Sequence, residues 1–338
     1  MRPIGPCNVP VSENDIASLP ALVLGGAVLN TQYNDDPTQV PIDEMLRYAF
    51  SHGITAIDTS PYYGPSELIY GNALDALKQE FPRETYFICT KVGRVRLDEF
   101  DYSKEHVRFS VLRSCQRLRT SYLDLVYLHD IEFVPLQNTL EALRELRALK
   151  AEGIIKNFGL SGYPVDYLKY VTKKCVLEPE IGPLDAVLSY CNLNLQNTLL
   201  EDHYDSWKSD SQLKVINNGS ILSMSLLRAQ ETKSFHPCSQ ELRQLASKAA
   251  EYTRDNSVDL ADLATRYAIA KWLDKGSTVL GVSTLQELQE ALKNYWLVQD
   301  NGGCLDANDT KLVKHIQGAI FGDHMNETWN SGIRHDDM

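Results

Sequence analysis

Short apolar runs and stretches of helical spacing alternate along nearly the whole of this 338-residue chain. The runs fall at residues 21–24, 54–58, 85–91, 122–129, 154–160, 185–190, 213–217 and 278–280. Each suits a buried strand and is too short for a helix. Helical spacing follows over 38–52, 66–80, 103–120, 138–152, onward from Val165, and over 197–210, 239–255, 258–274 and 284–297, with a last helix at 309–318. Ser66, Ser103 and Thr284 are expected to open helices, and Gly153 to close one. Alternation of this kind means βαβ units and a parallel sheet. Eight such units accumulate, and no Gly-x-Gly-x-x-Gly follows the first strand, which weighs against an open dinucleotide-binding sheet. The expected class is α/β, a closed (β/α)8 TIM barrel. No Pro/Gly/Ser-rich linker divides the chain and no repeat is present, so residues 1–338 are expected to form a single domain. Residues 1–20, the loop 218–238 after a short helical start, and the tail from Phe321 are expected to be irregular.

Charge narrows the function. A net charge of -12 argues against nucleic acid or an anionic membrane as partner, and says little about a neutral ligand such as a sugar. No apolar run approaches the roughly 20 residues of a membrane span, and the N-terminus lacks a signal-peptide core. The seven cysteines are scattered, with no Cys-x-x-Cys. These features predict a reduced, cytoplasmic protein without a bound metal.

Three successive strands end in polar groups. The second ends at Asp58, with Tyr63 in the loop Asp58-Thr59-Ser60-Pro61-Tyr62-Tyr63-Gly64; the third ends at Lys91 and the fourth at His129. In a barrel these ends are neighbours on the rim that carries chemistry. A phenol is a poor base at neutral pH, with a free pKa near ~10. A cation about 4 Å away, at an effective dielectric near 20, contributes roughly 4 kcal/mol, enough to move it about 3 units toward neutrality. Tyr63 is therefore the expected proton donor or acceptor, Lys91 its cation, Asp58 the anchor of Lys91, and His129 a hydrogen-bonder or relay to the substrate oxygen.

The motifs Asp58-x-x-x-x-Tyr63-Gly-x-Ser-Glu67, Thr90-Lys91-Val-Gly93 and Asp124-x-x-x-x-His129 resemble those of the aldo-keto reductase superfamily over nearly the whole chain. The resemblance implies a nicotinamide cofactor across the C-terminal rim and a catalytic tetrad at Asp58, Tyr63, Lys91 and His129, with Tyr62 as a pocket wall. It implies that Ser161 bonds the carboxamide, with Gly162 where the family has Asn, and Ser189 where it has Gln. Ser223, Met224, Ser225 and Leu226 would meet the pyrophosphate through backbone N–H and hydroxyl groups. Gly281 and Glu287 fall where members preferring NADP carry Lys or Arg, and Glu290 matches an adenine contact. A 2′-phosphate beside Glu287 with no guanidinium is repelled, whereas a ribose diol can donate to the carboxylate, so NAD is the expected cofactor.

Residues 128–133, 223–227, His236-Pro237 and the tail through Trp329 to Ile333 resemble the family's sugar 1-dehydrogenase branch. That implies oxidation of an aldose, D-arabinose or a similar sugar, at C1 to the aldonolactone, feeding D-erythroascorbate-type synthesis. Asp130 could accept from sugar hydroxyls, and Trp329 and Tyr62 could stack on the sugar's apolar face. Two other expectations stand beside it: a general aldehyde reductase using NADPH, and a non-catalytic cofactor-binding subunit of the same fold. Neither the physiological aldose nor the oligomeric state is readable from the sequence.

Overall fold

The computed structural model describes residues 1–11 and 15–335. Eight parallel strands close into a barrel: β1 (Leu22–Gly25), β2 (Ala56–Asp58), β3 (Phe87–Val92), β6 (Leu123–His129), β7 (Ile155–Gly162), β8 (Ala186–Tyr190), β9 (Val215–Gly219) and β10 (Thr278–Leu280), with β10 pairing back onto β1. Between β3 and β6 stand β4 (Arg94–Arg96) and β5 (Glu99–Phe100), a separate antiparallel hairpin.

Side chains alternate along each barrel strand. On β6, Leu125 and Tyr127 join a cluster built from strand residues such as Val23, Phe87 and Leu188, with Ile16 beneath it; this is the barrel interior. Val126 and Leu128 face the other way, into a larger cluster shared with the surrounding helices. One hydrogen bond crosses the interior, from Asn217 Nδ2 to Tyr127 Oη at 2.9 Å.

The helices are α1 (Ile42–Ser51), α2 (Ser66–Leu77), α3 (Lys104–Arg117), α4 (Leu136–Ala151), α5 (Val165–Val176), α6 (Leu199–Asp210), α7 (Gln240–Asp255), α8 (Leu260–Trp272), α9 (Leu285–Asp300) and α10 (Ala307–His315). Ser103 and Thr284 cap α3 and α9 by accepting from His106 N and Glu287 N. Ser66 does not cap α2. It lies inside the first turn, and its Oγ is 2.7 Å from Thr59 Oγ1, tying the helix to the Tyr63 loop. No helix among the described residues is long and apolar enough to cross a membrane.

Three segments differ from expectation. The hairpin β4–β5 was not foreseen because its strands are two and three residues long and charged. The segment after β9 has no helical start. Instead Ser223, Met224 and Ser225 hold positive φ values of 47°, 46° and 86°, a left-handed run without glycine. Each such residue costs about 1–3 kcal/mol and needs local bonds to persist. Met224 N donates to Ser220 Oγ, and Ser223 O lies 2.9 Å from His236 Nε2. Beyond α10 the chain continues as a π-turn, Ile316–Phe321, and a 3-10 turn, Gly322–His324, before the irregular tail. Near the N-terminus a 3-10 turn covers Ile16–Ser18. The irregular structure expected at both ends also takes in 12–14 and 336–338, which lie outside the described residues.

Candidate active site

Parallel pairing brings the ends of β2, β3, β6 and β7 into step: Asp58 is opposite Cys89, Lys91 opposite Tyr127, and His129 opposite Ser161. Asp58, Lys91, His129 and the Tyr63 loop therefore meet at one edge of the mouth. Lys91 Nζ is 2.5 Å from Asp58 Oδ1 and donates to Thr59 O at 3.0 Å. It lies 4.8 Å from the centroid of the Tyr63 ring. The His129 ring meets that of Tyr63 at 5.5 Å and 89°.

Sequence reasoning missed the residue that orients His129. Ser60 Oγ accepts from Tyr62 N at 3.1 Å and lies 3.0 Å from His129 Nδ1. The Ser60 hydroxyl can donate to Nδ1, and in that tautomer Nε2 carries the ring's N–H toward the mouth. Tyr102 Oη holds the His129 carbonyl at 2.7 Å. Gly93 makes room for Tyr102: its φ is 102°, and a Cβ there would sit 2.3 Å from the Tyr102 ring.

The electrostatics of the ligand-free protein differ from expectation. Burial pushes the Tyr63 phenol up to about 12, while Lys91 pulls it down and Asp58 and Asp130 push it up further. Lys91 was expected to win and bring the phenol toward neutrality. It does not, because desolvation of a phenolate here outweighs one ammonium already engaged by a carboxylate. Burial disfavours the Lys91 charge, yet Asp58 and Tyr63 together raise it above its ordinary value, so it remains an ammonium. Burial raises Asp58 against the pull of Lys91. Burial, Lys91 and Arg94 hold His129 well below its usual range, so the imidazole is neutral at physiological pH.

Further round the mouth, Ser161 is buried and donates from Oγ to Leu128 O at 3.2 Å. Ser189 Oγ accepts from Asn192 Nδ2 at 2.9 Å. Gly162 has a local reason to lack a side chain: a Cβ would meet Glu132 Oε2 at 2.4 Å. The backbone N–H groups of Ser223, Met224 and Leu226 are bonded within their own loop, to Ser220 O, Ser220 Oγ and Ser223 O. Ser225 Oγ accepts from Lys233 N. Ser223 Oγ and Asn218 Oδ1 are buried without partners. Two orphaned polar atoms at the mouth side of β9 fit a cofactor carrying amide or phosphate groups.

Glu287 is not without a guanidinium: Arg228, 59 residues away in sequence, donates from Nη2 to Glu287 Oε1 at 3.3 Å. Glu287 Oε2 accepts from Ser283 N at 2.7 Å. Gly281 is exposed at the end of β10, and Glu290 faces solvent, paired with Lys293 at 3.0 Å.

Of the expected sugar contacts, Tyr62 is edge-on to His129 at 5.7 Å, and Asp130 Oδ2 lies 3.6 Å from His129 Nε2. Trp329 comes from the tail but stacks on Tyr163 at 4.3 Å and 8°, so one of its faces is already covered. The tail is tied to the 3-10 turn that follows β6, Ile131–Phe133, by Ser331 Oγ, which donates to Glu132 Oε1, and by Ile333 N, which donates to Glu132 O. Among the described residues, no group of three or more His, Cys, Asp or Glu is placed to hold a metal ion.

A model of the Aldo/keto reductase family matches residues 21–301. The chain is 59% identical to D-arabinose 1-dehydrogenase of Saccharomyces cerevisiae, covering 98% of this chain and 99% of that protein. It is 32% identical to L-galactose dehydrogenase of Arabidopsis thaliana over 98% of both. Among solved structures, an aldo-keto reductase from Bacillus halodurans aligns with a TM-score of 0.64 at 20% identity, covering 91% of this chain and 96% of that one, a likeness of fold.

Proposed function

Because this chain belongs to the aldo/keto reductase family of nicotinamide-dependent oxidoreductases, we propose that it oxidises an aldose at C1 to the aldonolactone with NAD. The substrate class follows the curated relatives, D-arabinose and L-galactose dehydrogenases that match over nearly their whole length. The observation that carries the reading is the Lys91 ammonium, held by Asp58 and set 4.8 Å from the Tyr63 ring, with neutral His129 against the same ring.

In this reading Tyr63 exchanges the proton of the C1 oxygen. Lys91 favours the phenolate, and Asp58 keeps Lys91 in place. His129, with N–H on Nε2, donates to the same oxygen. A bound nicotinamide would supply the hydride-accepting chemistry, so that the C1 hydrogen could leave as hydride while Tyr63 and His129 manage the oxygen. Ser161 and Ser189 would hold its carboxamide, while Ser223 Oγ and the 223–226 turn would meet the pyrophosphate. Glu287 would accept from the ribose diol. Arg228 tempers the choice of NAD without reversing it, because its charge is already engaged by Glu287. The chain works as one barrel domain in the cytoplasm.

The test is NADH or NADPH production across pentoses and hexoses with both cofactors. NAD-linked oxidation of D-arabinose or a close analogue, abolished in Tyr63→Phe, is the expected result. Turnover of simple aldehydes with NADPH, and of no aldose, would replace this reading with a general aldehyde reductase. Cofactor binding with no turnover of either substrate class would point to a non-catalytic subunit.

A further inference from the structure

Arg94 opens the hairpin that follows β3, and beyond helping to keep His129 neutral it has no part in the chemistry above. Its guanidinium nevertheless reaches back to the mouth. Nη1 donates to Asp130 Oδ2, and Nη2 donates to Leu97 O at 2.9 Å. The guanidinium carbon lies 4.1 Å from the centroid of the Tyr62 ring. Phe100 and Phe133, stacked on each other at 5.0 Å, flank it at 5.4 and 5.7 Å. The side chain is 14% exposed, and Nε is buried without a partner. The cation is thus boxed by aromatic rings and fixed through both terminal nitrogens, while its buried Nε–H has no partner.

Its partner is as unusual. Asp130 follows His129 directly and sits at φ 60°, ψ 61°, a left-handed conformation uncommon for residues other than glycine. Burial raises its carboxyl, and Arg94 and Lys91 pull it down. The groups around it are Arg94 from the hairpin, His129 beside it on β6, Lys91 from β3 and Glu132 two residues on. Glu132 is itself pushed up to about 8 by burial and by Asp130. A clip that merely closed the hairpin would be met by Leu97 O alone. It would not call for a buried carboxylate in a strained turn 3.6 Å from His129.

We propose that Arg94 is a positioning residue of this active site: it fixes the Asp130 carboxylate beside His129 as an acceptor for a substrate hydroxyl, and so selects polyhydroxylated substrates over simple aldehydes and alcohols. A site built to bond a hydroxyl rejects the analogue lacking it by about 10⁴-fold, because the buried acceptor is then left unpaired; an apolar pocket discriminates by only about 10². The inference rests on the protein being an aldose oxidoreductase.

The experiment compares Arg94→Met, Arg94→Lys, Asp130→Asn and the Arg94→Met/Asp130→Asn double variant of the full chain. In Arg94→Met the KM for aldose should rise about tenfold or more while kcat changes little and the KM for NAD stays put. Arg94→Lys should recover part of the loss. Without its cation the Asp130 carboxyl protonates at higher pH, so the acid limb of kcat/KM for aldose should move toward neutrality. In the Asp130→Asn background the loss of Arg94 should cost no further aldose KM, so the double variant should be no worse than Asp130→Asn alone. An unchanged aldose KM in Arg94→Met, or an aldose KM in the double variant well above that of Asp130→Asn alone, overturns the proposal. If wild-type protein reduced aldehydes but oxidised no aldose, the aldose reading would fall by itself. Arg94→Met must then still lose the preference for a 2-hydroxyaldehyde over its deoxy analogue, and equal handling of the two by wild type and variant overturns the role of Arg94.

Discussion

The Asp58–Lys91 pair keeps 7% and 2% of its side-chain surface exposed, whereas the Arg228–Glu287 pair, across the same mouth, keeps 40% for Glu287 and 35% for Arg228. The first joins neighbouring strand ends on the rigid barrel. The second joins a loop residue to the first turn of α9. Removing one member of a buried pair strands the other charge in a poorly solvated site, at a cost of about 3–5 kcal/mol. An exposed pair contributes about 0.2–1 kcal/mol and is easily exchanged for another partner. The buried pair is therefore suited to hold a charge where a reaction needs it. The exposed pair is suited to choose between ligands that differ by a charge.

The hardest test of the buried side is Tyr63→Phe. Loss of the phenol hydroxyl should lower kcat for aldose oxidation by about 10⁴-fold, near the upper end for general acid–base catalysis, with an unaltered urea midpoint. Lys91→Met comes next. It should lower kcat by about 10³-fold and also destabilise the fold by about 3–5 kcal/mol, because Asp58 is left buried and alone. The double variant Asp58→Asn/Lys91→Met should recover stability in urea melts but not activity. A single Lys91→Met variant as stable as wild type would erase the contrast between the two pairs.

What the sequence discloses divides along the same line. Asp58, Lys91 and His129 each close an apolar run, so their place on the rim follows from strand period and parallel register. Arg228 and Arg94 carry no such mark. Arg228 meets Glu287 through a loop that turns by four left-handed non-glycine residues, Ser220 and Ser223 to Ser225, which no local pattern announces. Arg94 sits in a hairpin whose strands are too short and charged to register as apolar runs. The Tyr163–Trp329 stack likewise depends on where the tail lies over the barrel. The pKa of Tyr63 is illegible for a different reason: a strand-end lysine discloses its charge, but not how much water the fold removes from the phenol beside it.

Burial of the phenol has a measurable consequence. With the phenol pushed up to about 12 in the free protein, its basic form remains the minor one throughout the neutral range. The basic form grows as pH rises toward that value, so kcat/KM for aldose oxidation should climb through pH 9, by up to about tenfold per unit, without a plateau near 7. The reverse reduction, which draws on the protonated phenol, should stay flat over the same range, because that form remains almost fully populated. His129, held neutral by burial and the cations around it, should add no inflection near its ordinary value. A plateau below pH 8 would mean that Lys91, not burial, governs the phenol.

The exposed pair should yield smaller effects. In Glu287→Gln the Arg228 guanidinium is released to meet a 2′-phosphate and the ribose diol loses a charged acceptor. The kcat/KM ratio of NADP to NAD should therefore rise about tenfold, a change of about 1.4 kcal/mol. The smallest effect should come from salt. The Debye length shrinks from about 10 Å at 0.1 M to about 3 Å at 1 M, which screens charges in contact with water and hardly touches those that are not. Between those ionic strengths the cofactor preference of wild type should shift by no more than about twofold to threefold, within the 0.2–1 kcal/mol of an exposed pair. The Tyr63-dependent kcat should stay constant, because Lys91 and Asp58 are shielded from the added ions. A kcat that fell with salt as steeply as the cofactor ratio shifts would mean that the buried pair is reached by solvent, and that the two pairs differ in position but not in kind.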